Sequence, residues 1–283
     1  MTNALISVEQ LASSMDDGSV VVVDCTFTMP GARPNAAELY AQRHIPGARF
    51  FDLDAIADHS SDLPHMLPPA PVFERAVGAM GISNATDVVI YDTPGMMSAG
   101  RGWWTFRAMG HDRVRVLDGG LKAWMAAGKA VTAEVPSAAP ALFRASPRTR
   151  LVKSKAQMME NISTRAEQVI DARSGARFRA EVAELRAGLR SGHIPGSLNL
   201  PFDRLSDPET GRMKSTAELT QLFRAAGLEA DKPVVTTCGS GVTAGALYFA
   251  LYLIGRTDTA LYDGSWTEWG VPGDTPVEPS VSP

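Results

Sequence analysis

Two halves of the sequence repeat the same series of short motifs, and this repeat constrains the fold more than any other feature. HIPGARFFDLD begins at His44 and HIPGSLNLPFD begins at His193. A short apolar run that ends in aspartate precedes each of them, VVVVD in the first half and QVID in the second. Later matches keep the same order at intervals of about 145–149 residues, among them Asp92 with Cys238. Ordered matches of this kind indicate a tandem duplication.

Each half is about 130 residues long, which is enough for a hydrophobic core of its own. Short runs rich in Val and Ile alternate with stretches whose apolar residues recur every three or four positions, such as AAELYAQR and AELTQLFRAAGLE. This alternation predicts an α/β fold in which each half is a mostly parallel sheet with helices on both faces. The Ala-, Pro- and Ser-rich run between the halves predicts a linker. We therefore expect domains at 1–135 and 151–283, joined by a linker at 136–150.

Composition excludes several classes of protein. The chain has 27 Lys and Arg against 31 Asp and Glu, a net charge of −4, so no basic field suits nucleic acid or an anionic membrane. No apolar run reaches the roughly 18 residues of a transmembrane helix. Two cysteines and five histidines exclude a disulfide framework and argue against a structural zinc site, and we expect no metal and no cofactor. The first residues lack a basic segment followed by an apolar one, so we expect a cytoplasmic protein.

Cys238 is the foremost candidate for a catalytic residue, because the repeat aligns it with Asp92 rather than with another cysteine. It opens CGSGVTA, between an apolar run and an apolar helical stretch. A thiol there lies near unpaired N–H groups and the positive end of a helix dipole, which favour the nucleophilic thiolate. Gly239 and Gly241 allow the loop amides to curl around an anion. Cysteine-dependent phosphatases carry an arginine where this chain has Ala244, so phosphatase activity is not expected.

Arg173 and Arg177, in DARSGARF, have no arginine in register in the first half. Four residues apart at a predicted helix start, they are expected to project from one face. Two guanidinium groups beside a thiolate form a site for a small anion, especially a carboxylate. Residues that both halves share are interpreted as structural, and so is Cys25: they are His44 with His193, Trp124 with Trp269, and Asp24 with Asp171.

The tandem halves, the HIPG motifs and the run CGSGVTA together resemble the two-domain rhodanese-type sulfurtransferases. The resemblance covers nearly the whole chain. It implies two rhodanese-like domains, an inactive N-terminal one and a catalytic C-terminal one, and a Cys238 that carries sulfur as a persulfide. It also implies that the loop amides stabilise the anionic persulfide. The loop residues are Gly239, Ser240, Gly241, Val242, Thr243 and Ala244.

Within that family the loop discriminates between donors. Thiosulfate-preferring members carry C-R-K-G-V-T, whereas Gly239 and Ser240 match the 3-mercaptopyruvate sulfurtransferases. The stretch FDLDAIADHSSDLPHMLP is similar to the same subgroup, which implies that Asp54, His65 and Ser240 form a constellation that moves protons at the donor. Arg101, in SAGRGWW, resembles a family SAPRxWW motif, with glycine in place of the proline. For Arg101 a structural ion pair and a place in the donor site both stay open.

The resemblance implies a reaction in which 3-mercaptopyruvate binds with its carboxylate against Arg173 and Arg177. The Cys238 thiolate then takes the donor sulfur, pyruvate leaves, and the sulfur passes to an acceptor: thioredoxin, a small thiol or cyanide. Two alternatives remain. One is a thiosulfate:cyanide sulfurtransferase that uses the same cysteine, and the other is a non-catalytic rhodanese-like module that binds partner proteins.

Overall fold

The computed structural model describes residues 4–16 and 18–278, so the outermost residues of the two predicted domains, 1–3 and 279–283, lie outside the described residues. The chain divides into two compact units. Unit 1 contains the residues up to His59 together with 67–148 and 206–213. Unit 2 contains 60–66, 149–205 and the residues from Lys214 onward.

Unit 1 is built on a five-stranded sheet in the order β1-β5-β4-β2-β3, with every neighbouring pair parallel. Its elements in chain order are β1 (Leu5–Ile6), α1 (Val8–Asp16), β2 (Val20–Asp24), α2 (Ala36–Gln42), β3 (Arg49–Phe50), α3 (Ala70–Ala79), β4 (Asp87–Tyr91), α4 (Ala99–Ala108), β5 (Val114–Leu117) and α5 (Gly120–Ala126).

Unit 2 repeats this plan with the order β6-β10-β9-β7-β8, again parallel throughout. Its elements are β6 (Val152–Lys153), α6 (Lys155–Thr164), β7 (Gln168–Asp171), α7 (Gly175–Phe178), β8 (Leu198–Asn199), α8 (Thr216–Ala225), β9 (Val234–Thr237), α9 (Val242–Leu253), β10 (Thr259–Tyr262) and α10 (Ser265–Trp269). Short 3₁₀ turns cover Thr149–Leu151 and Phe202–Arg204. The predicted architecture of two parallel α/β sheets is confirmed.

Burial explains the apolar runs from which the strands were predicted. Strands β9 and β10 are buried along their whole length, as expected for strands covered on both faces. Helix α9 is buried through most of its length and lies against both strands. The helices of the periphery begin at side-chain caps instead, since Asn35, Ser154 and Ser215 each accept the N–H of the third helical residue.

Residues shared by the two halves occupy equivalent structural positions. His44 stacks on Tyr40, while His193 stacks on Phe178, and the Nδ1 atom of each histidine lies within 3 Å of the carbonyl oxygen of the residue on which it stacks. The indole N–H groups of the paired tryptophans likewise donate to carbonyls of the chain that follows, Trp124 to Ala130 and Trp269 to Pro276.

The segment expected to be a linker lies partly on unit 1. Residues up to Arg148 belong to that unit. Phe143 is buried and packs edge-on against Phe73, and the Ala141 N–H donates to the Gly78 carbonyl. The predicted boundary at 135 therefore falls short of the end of unit 1. The Ala- and Pro-rich run after it packs on unit 1 through the Phe143 side chain, which its composition does not predict.

Each unit also includes a short segment from the other half of the sequence. Residues 206–213 belong to unit 1, where the Met213 N–H donates to Asp118 and Lys122 donates to the Pro208 carbonyl. Residues 60–66 belong to unit 2 and bring His65 into it.

Within the part of the chain that the structure describes, no helix has the length and hydropathy needed to cross a membrane.

Candidate active site

Cys238 lies in a four-residue loop between β9 and α9, at the carboxyl end of the third strand of its sheet. Its thiol is buried, and the Gly241 N–H donates to Sγ at 3.1 Å. Gly241 has φ +83°, a left-handed conformation that a glycine adopts without strain and that turns its amide toward the sulfur. Helix α9 starts at the next residue, so the sulfur also lies near the first N–H groups of that helix. The loop can therefore hold a negatively charged sulfur.

The first residues of α10 fix the backbone of this loop. Trp266 N–H donates to the Cys238 carbonyl at 3.0 Å, and Thr267 N–H donates to the Gly239 carbonyl at 2.8 Å. The Ser265 hydroxyl accepts the Cys238 N–H at 3.2 Å. These three bonds fix the Cys238 N–H and the carbonyls of Cys238 and Gly239.

Arg177 lies directly against the loop. A Cβ atom added at Gly239 would come 3.1 Å from Nη2 of Arg177, so glycine at 239 leaves room for the guanidinium. The Arg177 side chain is 18% exposed and pairs with Glu184. It is a partly exposed cation beside the Cys238 loop, and its predicted role in binding the donor stays a prediction.

Arg173 occupies a different environment from the one predicted. Its side chain is 0% exposed and donates to Asp171, to Glu184 and to the Gly192 carbonyl, with Trp266 4.2 Å beneath it. Burial opposes the charged form, but the carboxylates of Asp171 and Glu184 outweigh it and raise the pKa of Arg173.

Helix α7 begins only at Gly175, so Arg173 is not on the helical face that the four-residue spacing assumed. The guanidinium turns back onto the end of β7, and the direct carboxylate contact expected of Arg173 is not supported by this geometry.

Glu184 and Arg186 belong to the site region but were not found from the sequence. Glu184 is 1% exposed and joins the two arginines, since one carboxylate oxygen accepts from Arg173 and the other from Arg177. Arg186 Nη2 lies 3.3 Å from Nε2 of His65. Both lie between α7 and β8, where no periodic pattern marks any residue.

His65 is buried in unit 2. Because a guanidinium only donates hydrogen bonds, the Nε2 atom that faces Arg186 accepts one. Ser240 lies in the Cys238 loop and is buried. The role predicted for Ser240 together with His65 stays a prediction.

Asp54 and Arg101 both lie in unit 1. Asp54 is exposed, and its backbone N–H donates to the Asp52 carboxylate. Arg101 is buried in α4 with its guanidinium 4.5 Å from the Trp104 ring. The roles predicted for these two residues stay predictions.

The loop of unit 1 that corresponds to the Cys238 loop follows β4 and begins at Asp92. The Asp92 carboxylate is buried and accepts the N–H groups of Gly95 at 2.6 Å, Ser98 at 2.7 Å and Ala99 at 2.9 Å. Burial raises the pKa of Asp92, while these amides oppose the shift. Unit 1 therefore has a loop that also surrounds an acceptor with amides, but the acceptor is a side chain with no nucleophilic sulfur.

Cys25 is the other cysteine of the chain. It is buried against Gly102, and burial raises its pKa well above the ordinary value. Among the described residues, no group of three or more His, Cys, Asp or Glu side chains could hold a metal ion. The Gly102 amide and the Arg101 charge act on the Cys25 thiol as well, but burial outweighs both. Cys238 is the thiol that lies in the loop between β9 and α9, against which Arg177 packs.

Comparisons with known proteins identify relatives over nearly the whole chain. The family model of the rhodanese-like domain matches the chain twice, at residues 7–127 and 154–271. The chain is 38% identical to the 3-mercaptopyruvate sulfurtransferase of Escherichia coli, over 98% of this chain and 99% of that one. It is 43% identical to the thiosulfate sulfurtransferase of Gallus gallus, over 94% and 93%. The crystal structure of SseA from Escherichia coli, described as a 3-mercaptopyruvate sulfotransferase, aligns with a TM-score of 0.85 at 36% identity and covers 94% of this chain and 99% of its own.

Proposed function

This chain belongs to the family of rhodanese-like domain proteins, and from that premise we propose that it is a sulfurtransferase that moves sulfur from 3-mercaptopyruvate through Cys238 to a thiol acceptor or cyanide. The resemblance inferred from the HIPG motifs and the loop is thereby confirmed. The observation that carries the proposal is the Cys238 sulfur itself, which accepts a loop amide and lies in the loop against which Arg177 packs.

The donor carboxylate binds at Arg177 and Arg186. Arg177 packs on the loop, and Arg186 is next to His65, the candidate proton carrier of this unit. Arg173 takes part through Glu184, whose second oxygen holds Arg177 in place. A planar guanidinium matches a carboxylate with two parallel hydrogen bonds, which suits a 2-oxo acid.

In the first step the Cys238 thiolate attacks the sulfur of the donor. A sulfur–sulfur bond forms, the carbon–sulfur bond of the donor breaks, and its electron pair passes to the carbon as pyruvate enolate. Protonation of that carbon gives pyruvate, with Ser240 and His65 as the candidate proton carriers and Asp54 as the proposed third member of their constellation. The amides of residues 239–244 stabilise the anionic persulfide.

In the second step an acceptor thiolate, such as thioredoxin or a small thiol, or else cyanide, attacks the outer sulfur of the persulfide. The sulfur–sulfur bond breaks and its electron pair returns to Cys238 as thiolate. Neither step calls for a metal or an organic cofactor. We place this reaction in the cytoplasm and assign it to the C-terminal domain, with unit 1 as the non-catalytic copy because Asp92 stands where Cys238 does.

Thiosulfate is the competing donor, since one relative is named a thiosulfate sulfurtransferase. Gly239 and Ser240 bring no positive charge to the loop, and a dianion is bound less well without it. A non-catalytic binding module is the less favoured alternative, because the loop retains its thiol and the amide that contacts it.

The test measures pyruvate release from 3-mercaptopyruvate with a thiol acceptor, beside the same assay with thiosulfate. We expect wild-type protein and Cys25→Ala to turn over 3-mercaptopyruvate faster than thiosulfate, and Cys238→Ser to be inactive with both. Mass spectrometry without acceptor should find one added sulfur atom on the wild type and on Cys25→Ala, and none on Cys238→Ser. A preference for thiosulfate would refute the donor, and a folded protein that gains no sulfur would favour the binding module.

A further inference from the structure

Ser265 holds a backbone conformation that is unfavourable for a residue with a side chain. Its φ is +48°, in the left-handed region, and it is the first residue of α10. The repeat aligns Ser265 with Gly120 of unit 1, which has φ +57°. Glycine meets this conformation without strain, so the serine of unit 2 keeps a strain that the duplicated copy avoids. Because glycine at the aligned position of unit 1 shows that the fold can do without a side chain here, the strained serine calls for a functional reason.

The hydroxyl of Ser265 supplies one. Oγ accepts the Cys238 N–H at 3.2 Å and the Thr237 hydroxyl at 3.3 Å, and it donates to the Tyr262 carbonyl at 2.8 Å. A hydroxyl has one hydrogen and two lone pairs, so these three bonds use its whole capacity. The side chain is fully buried, and its one hydrogen is donated to the Tyr262 carbonyl, so it is not assigned a role as a proton carrier.

From these contacts we infer that Ser265 is a positioning residue for the reacting cysteine, an inference that rests on the proposed function. The Cys238 N–H is buried at the end of β9, where an unpaired amide is costly. Ser265 is the side chain that accepts it, and the hydrogen bond to Tyr262 fixes the direction of the lone pairs. Rotation of the peptide between Thr237 and Cys238 would break the bond that the Cys238 N–H donates to Ser265.

Unit 1 shows what the loop does without this hydroxyl. There the Leu121 N–H still donates to the Asp92 carbonyl, which reproduces the backbone bond that Trp266 makes to Cys238. A Cβ atom added at Gly120 would lie 2.2 Å from the Asp92 carbonyl oxygen, so that unit has no room for a serine. The hydroxyl is therefore a feature of the sulfur-bearing loop alone.

The position of the sulfur depends on this bond. Sγ is 3.1 Å from the Gly241 N–H, a contact that requires the Cys238 backbone to keep its orientation. Loss of the hydroxyl frees the peptide ahead of Cys238 and spreads the sulfur over several positions. Since the donor-binding arginines lie on other elements, donor affinity is retained while the chemical step slows.

The experiment compares Ser265→Gly and Ser265→Ala with the wild type, with Thr236→Val as a matched control. Thr236 is a buried residue of β9 whose hydroxyl oxygen has no hydrogen-bond partner among the described residues, so we expect its removal to leave the loop unchanged. Three quantities are measured on the full chain: kcat and KM with 3-mercaptopyruvate, the rate at which iodoacetamide alkylates Cys238 at fixed pH, and the melting temperature.

We expect Ser265→Gly to lower kcat about 10- to 100-fold with KM changed less than about twofold, and to slow alkylation by at least about threefold. Because glycine relieves the left-handed strain, its melting temperature should stay within about 3 °C of the wild type. Ser265→Ala keeps the strain and loses the bonds, so it should show the same kinetic loss with a lower melting temperature. Thr236→Val should match the wild type in kcat and alkylation.

Unchanged kcat and alkylation in Ser265→Gly would overturn the inference, and so would a loss that appears in KM alone. If Ser265→Gly does not fold, Thr237→Val carries the test, because it removes a hydroxyl bonded to Ser265 and should show the same split at smaller size. An unaffected Thr237→Val then refutes the inference. Alkylation needs no sulfur donor, so it reports on Ser265 even if 3-mercaptopyruvate proves not to be the substrate.

Discussion

The loops after β4 and β9 follow the third strand of their sheets, yet they enclose different groups. In unit 1 the loop amides bind the carboxylate of Asp92, which is part of the chain. In unit 2 the shorter loop directs the Gly241 N–H at the Cys238 sulfur, a nucleophile instead of a carboxylate. The duplication thus produced one loop that binds a carboxylate of its own chain and one that carries a thiol. Both units have a loop whose amides face an acceptor, and the first residue of the loop, Asp92 or Cys238, determines whether that acceptor is a carboxylate or a sulfur.

A second difference lies at the ends of β2 and β7. Asp171 of β7 is neutralised by Arg173, whereas Asp24 of β2 has Thr26 in the corresponding place and accepts its backbone N–H. Unit 2 thus keeps a buried ion pair next to its reactive loop, where unit 1 has a buried carboxylate beside a threonine.

The largest effect is expected where that ion pair is broken. Arg173→Ala leaves Asp171 and Glu184 buried without their cation, which should lower the free energy of unfolding by about 3–5 kcal/mol in urea denaturation. Arg179→Ala is the matched control, because Arg179 pairs with Glu181 at the surface and its loss should leave unfolding unchanged. Equal midpoints for both variants would mean that the buried network does not stabilise unit 2.

An intermediate effect is expected when the Asp92 loop of unit 1 loses its charge. Asp92→Asn turns an amide group toward three N–H donors, which should cost about 2–3 kcal/mol of unfolding free energy. Asp87→Asn, at the exposed start of the same strand, should change stability by less than about 0.5 kcal/mol. If Asp92→Asn unfolds at the wild-type urea concentration, the amides of unit 1 do not need a carboxylate, and the contrast between the two loops weakens.

The smallest effect concerns Asp24 and pH. Burial raises the pKa of Asp24, so the folded chain binds this proton more tightly than the unfolded chain, and stability falls as the pH rises from the ordinary pKa through the raised one. Asn has no proton to lose, so Asp24→Asn should gain stability relative to the wild type by about 1 kcal/mol between about pH 4 and pH 7. Urea denaturation at both pH values checks this, with Asp231→Asn as the exposed control. A constant difference across the range would contradict it.

The fold could be predicted from the sequence because the buried strands appear in it as apolar runs, and because the repeat shows these runs twice in the same order. Cys238 could be singled out because the duplication supplied Asp92 for comparison. Arg173 was misplaced, since helical spacing was assumed two residues before α7 begins. Glu184 and Arg186 lie in irregular chain, where only tertiary structure brings Glu184 to Arg177 and Arg186 to His65.

The exchange of short segments between the units has a consequence for synthesis on the ribosome. Unit 1 includes residues 206–213, and unit 2 includes residues 60–66. The polypeptide that has emerged as far as Arg148 still lacks the last piece of unit 1, which follows only after β7 and β8 have been made. Unit 2, in turn, cannot acquire His65 from any fragment that starts after unit 1. Each unit therefore contains a segment that is translated separately from the rest of that unit. Neither unit can be completed from one continuous stretch of newly made chain.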